Sequence, residues 1–213
     1  ADAAAPMLDW TRWNRWRYTL YAPLYDAALA RLPFMARARA RSIALAALRP
    51  GERVLLVAAG TGLDLPFLPR DVRVTATDLT PAMVRRLAAR ARTLGLEVDA
   101  RVMDAQRLDL PDASVDCVVL HLALAVVPDP AACLREAARV LRPGGRVAVF
   151  DKFLPDDATP SAGRRAASAV ARVVATDLDR RLGPLLRAAG LRETAREAAG
   201  MGGLFVVARA ERD

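Results

Sequence analysis

Residues 54–78, VLLVAAGTGLDLPFLPRDVRVTATD, constrain the fold more than any other stretch of the chain. An unbroken apolar run, 54–57, passes through two alanines into Gly60-Thr61-Gly62, and a second, alternating run, 72–77, stops on Asp78. A continuous β-branched and leucine run suits a strand buried on both faces of a parallel sheet. Glycines directly after it let the backbone approach a ligand at a helix start. An acid at the tip of the next strand is placed to accept hydrogen bonds from both hydroxyls of a ribose. The expected order is strand, glycine turn, helix start, strand, acid, which is a nucleoside-binding half-fold.

What is missing narrows the nucleoside. A GxGxxG fingerprint starting at Gly60 requires a glycine where the chain has Leu65, and no GxxxxGK[ST] phosphate loop occurs. A GTG turn with a carboxylate, Asp64, just inside the expected helix suits a ligand with no pyrophosphate and a positively charged end. S-adenosylmethionine has that make-up: ribose, adenine, a sulfonium and an α-ammonium.

Downstream, Thr80-Pro81 opens a helix that ends at Gly95, and Asp129-Pro130 opens another. Strands are expected at 98–103, 115–120 and 146–150, the last entered through a Pro143-Gly144-Gly145 turn. Five strands alternating with helices predict an α/β fold with a doubly wound, mostly parallel sheet. Two last strands, near 191–196 and 204–208 around Met201-Gly202-Gly203, make it seven-stranded with an antiparallel edge. Ligands of such sheets bind beyond the carboxyl ends of the strands. The residues at those tips are Gly60, Asp78, Asp104, His121 and Asp151. Asp78 is the expected ribose ligand and Asp104 the neighbour of the adenine amine. His121, the single histidine, is either a site residue or a satisfied capping residue.

Residues 1–49 hold eight arginines against three aspartates, so much of the net charge of +8 sits ahead of the nucleoside half-fold. This points to an acidic partner surface, such as anionic lipid or nucleic acid, with the alternative that a single lysine and abundant alanine reflect a GC-rich genome. A helix capped by Asp9 carries Trp10, Trp13 and Trp16 on one face, which either packs on the core or lies in a headgroup region. A further helix resumes after Pro33, where Arg37, Arg39 and Arg41 alternate and are expected to fan over a solvated surface. The resulting division is an N-terminal helical cap or lid, 1–49, and a cofactor-binding unit, 50–213. No stretch has the length and apolarity of a membrane span, and the start lacks a signal-peptide layout, so the expected location is cytoplasmic, with peripheral contact to the inner face of the membrane. Cys117 and Cys133 are expected to be small buried hydrophobes, with no metal spacing.

Four segments, VLLVAAGTGLDLPFLP, VTATDLTPAMV, MDAQRLDLPDASVDCVV and LREAARVLRPGGRVAVF, together resemble class I S-adenosylmethionine-dependent methyltransferases. Within that class YAPLYD, VVPDP and GGLFVVAR are similar to bacterial soluble phosphatidylethanolamine N-methyltransferases and quinone-biosynthesis methyltransferases. The resemblance implies S-adenosylmethionine as cofactor and S-adenosylhomocysteine as product. It sets Gly60 and Gly62 against the methionine part, with Ala59, Thr61 and Asp64 in the same loop. Asp78 then meets the ribose, Leu79 and Met83 the adenine faces, and Asp104-Ala105 the adenine edge. His121 would touch the cofactor and orient the acceptor or take its proton. Tyr25 would sit near the methyl group or the substrate, and Tyr25 and Asp151 are the other candidate proton acceptors. The family usually places an acid at the position of Leu56 and a glycine at that of Ala58, so either Asp64 stands in for the acid or cofactor affinity is reduced. Leu122 occupies a position where the lipid enzymes usually have an aromatic. HLALAVVPDP replaces an NPPY-type segment, which argues against amino-methylation of nucleobases. The expected function is methyl transfer to a small or amphipathic acceptor, a phospholipid amine or a quinone precursor. The alternatives are a nucleic-acid methyltransferase and a non-catalytic S-adenosylmethionine-binding protein.

Overall fold

The computed structural model describes residues 32–157 and 179–213. Helix α1 (Pro33–Ala46) leads to strand β1 (Arg53–Val57), followed by β2 (Arg73–Asp78), α2 (Pro81–Thr93), β3 (Val98–Val102) and β4 (Val115–His121). Then come α3 (Pro130–Val140), β5 (Leu141–Lys152), α4 (Leu182–Ala188), β6 (Leu191–Gly200) and β7 (Phe205–Arg212). The seven strands form one sheet in the order β3-β2-β1-β4-β5-β7-β6. The first five are mutually parallel, and β7 runs antiparallel to both β5 and β6. The far edge is therefore an antiparallel hairpin, turned at Met201–Gly203.

Burial on both faces explains the apolar runs. Every residue of the central strand β4 is buried, and alternate residues of β1 serve opposite sides of the sheet. Leu55 and Val57 join Leu134 of α3 and Leu186 of α4 on one face. Val54 and Leu56 join Ile43 of α1 and Leu87 of α2 on the other. A fully buried Leu of this kind contributes about 1.5–3 kcal/mol relative to exposure. The strand order reverses between β1 and β4, which opens a crevice beyond their carboxyl ends.

Several local expectations are corrected. No α-helix follows the glycine turn; the segment between β1 and β2 holds only a 3-10 turn, Leu65–Phe67. Pro66 and Pro69 explain this, because each lacks an N–H and clashes with a continuing helix. Pro143-Gly144-Gly145 is not a turn ahead of β5 but a bulge within it, where the pairing with β4 shifts between Val115 and Cys117. Thr80 begins α2 without a side-chain cap; its backbone N–H donates to Asp78 Oδ1 at 2.9 Å. Asp129 does cap α3, accepting from the N–H of Ala132. In α1, Arg37 and Arg41 are exposed as expected, but Arg39 is 6% exposed and faces inward. The tryptophan helix and Tyr25 lie outside the described residues. Among the described residues no helix is long and apolar enough to cross a membrane. Both cysteines are buried, and burial pushes each thiol up to about 12.

Candidate active site

One cleft lies over the switch point between β1 and β4. The loop after β1 supplies Ala58, Ala59, Gly60, Thr61, Leu63 and Asp64 to it, and the end of β2 supplies Asp78 and Leu79. The loop after β3 contributes Met103, Asp104, Ala105 and Gln106, and β4 contributes His121 and Leu122. Thr80 and Met83 at the start of α2, Val126, Val127 and Pro128 ahead of α3, and Arg39 of α1 complete the wall. The structure thus brings together every described residue expected at the cofactor except Gly62. That glycine is buried behind the loop, where a side chain would collide with Leu65 and Leu87.

At one end of the cleft the carboxylates rest on nearby backbone. Asp78 Oδ2 accepts from the N–H of Gly60 at 2.9 Å, which ties the β1 loop to the tip of β2. Gly60 has φ +56, and a side chain there would project into open space. Burial pushes the Asp78 carboxyl up, and the N–H groups of Thr80 and Gly60 only partly offset it. Each oxygen has a further lone pair for a ligand hydroxyl. Asp104 Oδ1 accepts from both the backbone N–H and the side-chain amide of Gln106, at 2.9 and 3.0 Å. Gln106 Oε1 in turn accepts from the N–H of Asp129 at 2.8 Å, linking the β3 loop to the start of α3.

At the other end a side-chain network replaces the backbone. Asp64 Oδ1 accepts from Arg39 Nη1 at 2.5 Å and lies 2.6 Å from His121 Nδ1. His121 Nε2 is 2.8 Å from Ser42 Oγ, which also lies 3.3 Å from the carbonyl oxygen of Val149. The His121 ring is fully enclosed, and both nitrogens face protein partners. Burial alone would raise Asp64, but the charges and hydrogen bonds of His121 and Arg39 outweigh it and hold the carboxyl far below its usual range. Phe150 packs edge-on against His121, and the Arg39 guanidinium stands over the same ring.

Asp151 is placed differently from the other strand tips. It is fully buried and does not line the cleft. Its oxygens accept from the N–H groups of Ala125 and Lys152, at 2.9 and 2.8 Å, so it anchors the loop after β4. Leu56 points into the core with Ile43 and Leu65 and not into the cleft. Ala58 and Leu122 both line the cleft with left-handed backbone, φ 53 and 56. Sequence reasoning missed Arg39, Ser42 and Gln106. The single glutamine of the chain, two positions after a strand-tip acid, was a usable signal for the last.

The donor set fits S-adenosylmethionine. Two carboxylates anchored on backbone suit a ribose and an adenine amine, apolar Leu79 and Met83 suit a flat ring, and the carboxylate of Asp64 suits an ammonium. Comparison with known proteins agrees. Residues 55–149 match the family described as a methyltransferase domain. A phosphatidylethanolamine N-methyltransferase of Cereibacter sphaeroides is 42% identical over 108 residues, covering 50% of this chain and 53% of that protein. The chain spans about half the length of the curated relatives it matches. The crystal structure of the [4+2]-cyclase SpnF is similar with a TM-score of 0.79 at 20% identity, over 100% of this chain and 99% of that one. A SAM-dependent methyltransferase from Aquifex aeolicus gives a TM-score of 0.67 at 21% identity, over 92% and 98% of the two chains. Structural likeness at such identity speaks for the fold alone. The sequence match, however, falls on the strands and loops that build the cleft, and residues 55–149 carry the methyltransferase domain that the matching family describes.

Proposed function

We propose that this chain transfers a methyl group from S-adenosylmethionine to a small or amphipathic acceptor, and that the acceptor is the amine of a phospholipid. The observation that carries the reading is the meeting of Asp64, Asp78 and Asp104 in one cleft whose other walls, including Leu63, Leu122 and Val127, are apolar. The 42% identity to a phosphatidylethanolamine N-methyltransferase supports the lipid amine over a quinone precursor.

S-adenosylmethionine supplies a methyl carbon already activated by a sulfonium. The chain's own residues therefore have to align the reactants and exclude water. Asp78, held by Gly60 and Thr80, receives the ribose hydroxyls, and Asp104, held by Gln106, receives the adenine amine. Leu79 and Met83 take the ring faces, with Ala105 at its edge. Asp64 takes the α-ammonium, the role the family usually gives to an acid at the position of Leu56. His121 acts through Asp64 as a positioning residue. To accept a proton from an acceptor amine directly, its ring would have to release Asp64 or Ser42. Tyr25 enters the reading as the group beside the methyl and the acceptor, and it lies outside the described residues.

The same reading takes residues 1–49 as a cap over 50–213, located in the cytoplasm and touching anionic membrane through Trp10, Trp13, Trp16 and the N-terminal arginines. Its support is that α1, at the end of that segment, already brings Arg39 to the cleft. Incubation with methyl-labelled S-adenosylmethionine and a whole-cell lipid and small-molecule extract tests the acceptor. Label is expected in N-methylated phosphatidylethanolamine; label confined to polar metabolites or to added RNA would reject the lipid. Flotation with anionic vesicles should be lost when all three tryptophans become alanine, and unchanged flotation would reject the membrane contact.

A further inference from the structure

Arg39 stands out because its charge is enclosed and most of its donors are unused. It is 6% exposed, lines the cleft, and spends one nitrogen, Nη1, on Asp64. Its other guanidinium N–H groups have no partner among the described residues, and the residue lines the cleft. A guanidinium offers five donors in a rigid fork, and leaving them unmatched in an enclosed site is costly. The Phe150 ring, 5.9 Å from the guanidinium carbon, fixes the fork in place.

The neighbouring charges say what the fork is for. Asp64 Oδ1 is shared between Arg39 and His121, so the cluster holds one carboxylate against a guanidinium and an imidazole. That set has no surplus of negative charge, and an oxyanion brought by a ligand would complete it. Asp64 Oδ2 has no partner among the described residues, belongs to the carboxylate that the fork grips, and suits a cation entering the cleft. An acceptor and a donor fork side by side match an ammonium next to a carboxylate, which is the α-amino-acid end of the cofactor.

We infer that Arg39 binds the α-carboxylate of S-adenosylmethionine while Asp64 binds its α-ammonium, so that helix α1 completes the cofactor site. This rests on the cleft's being the S-adenosylmethionine site. The phosphate of a phospholipid acceptor is the competing oxyanion.

Calorimetry on the intact chain tests it with two ligands that both keep the ammonium, S-adenosylhomocysteine and its decarboxylated counterpart. The wild type is expected to prefer the carboxylate-bearing ligand about 10- to 100-fold, the worth of a charged hydrogen bond. In Arg39→Gln the preference should fall below about threefold, with Arg39→Lys between the two. An undiminished preference in Arg39→Gln overturns the proposal. If that variant does not fold, the wild type still decides, because equal binding of the two ligands overturns the proposal by itself. A wild type that binds neither ligand overturns the cofactor reading as well. Glycerophosphoethanolamine binding that disappears in Arg39→Gln while the carboxylate preference stays would assign the fork to the acceptor phosphate and overturn the α-carboxylate assignment.

Discussion

At the end of the cleft proposed for adenosine, Asp78 and Asp104 take their hydrogen bonds from the chain within two residues of themselves, or from the Gly60 turn. At the end proposed for the methionine part, Asp64 is held by Arg39, 25 residues away, and by His121, 57 residues away, which is itself braced by Ser42. Charge follows the same division. Burial pushes Asp78 up, so the fold bears its ionised form at a cost, whereas Asp64 is held far down, so the fold is tied to its ionised form. The first end is a binding surface laid on finished backbone. The second is a binding surface that also fastens α1 to the sheet, and changes to it should be felt in stability as well as affinity.

Breaking the methionine end should have the largest effect. Asp64→Asn leaves Arg39 enclosed without its carboxylate, and removing one partner of a buried pair costs about 3–5 kcal/mol. Urea unfolding should show that loss, and calorimetry a weaker S-adenosylhomocysteine. Asp78→Asn should behave differently: affinity falls about 10- to 100-fold through lost ribose contacts, while stability changes by no more than about 1 kcal/mol. Equal stability losses in the two variants would break the comparison.

The two ends should also answer pH with opposite signs. The Asp64 carboxyl is depressed in the folded state, so its contribution is complete above the unfolded value of about 3.9 and is lost as pH falls through the folded value. The gap in unfolding free energy between wild type and Asp64→Asn should therefore be constant from pH 7 to 5 and narrow below about pH 4. The Asp78 carboxyl is raised, so the folded chain takes up a proton before the unfolded chain does. Its contribution grows as pH falls from the raised value toward about 3.9, and wild type should gain on Asp78→Asn in that window. Urea titrations at about pH 7, 5.5, 4 and 3 check both signs, the lowest point reading Asp64, and parallel slopes would remove the distinction.

What could be read ahead of the structure follows the same line. Gly60, Asp78 and Asp104 sit at the ends of apolar runs, and their partners lie next to them or in the adjacent turn, so local pattern suffices. Arg39 could not be placed that way. Arginines at every second position of a helix point in different directions, and only the packing of α1 on the sheet decides that Arg39 turns inward while Arg37 and Arg41 face water. The partner of His121 was invisible for the same reason, since Ser42 is an unremarkable helix residue 79 positions away. Asp151 looked like its fellow strand-tip acids, and only the path of the loop after β4 shows that its oxygens serve Ala125 and Lys152. The absent helix after the glycine turn was legible in Pro66 and Pro69 and was overridden by the fold pattern.

The smallest effect belongs to Ala58, at the locally built end. A left-handed backbone costs a residue other than glycine about 1–2 kcal/mol, and φ 53 lies in that region. Glycine removes this strain but adds about 0.4–1 kcal/mol of unfolded-chain entropy, so Ala58→Gly should stabilise by only about 0.5 kcal/mol. In a chain of this size that raises Tm by about 1–2 °C. Leu122, with φ 56, is the matching control. Its side chain packs with Met35, Phe150 and Phe205, so Leu122→Gly should lower Tm although it relieves the same backbone. Opposite signs for the pair would show that backbone strain dominates at Ala58 and packing at Leu122. A fall in both would mean that the methyl of Ala58 also matters through its contacts, and that the turn beside Gly60 is held by packing as well as by Asp78.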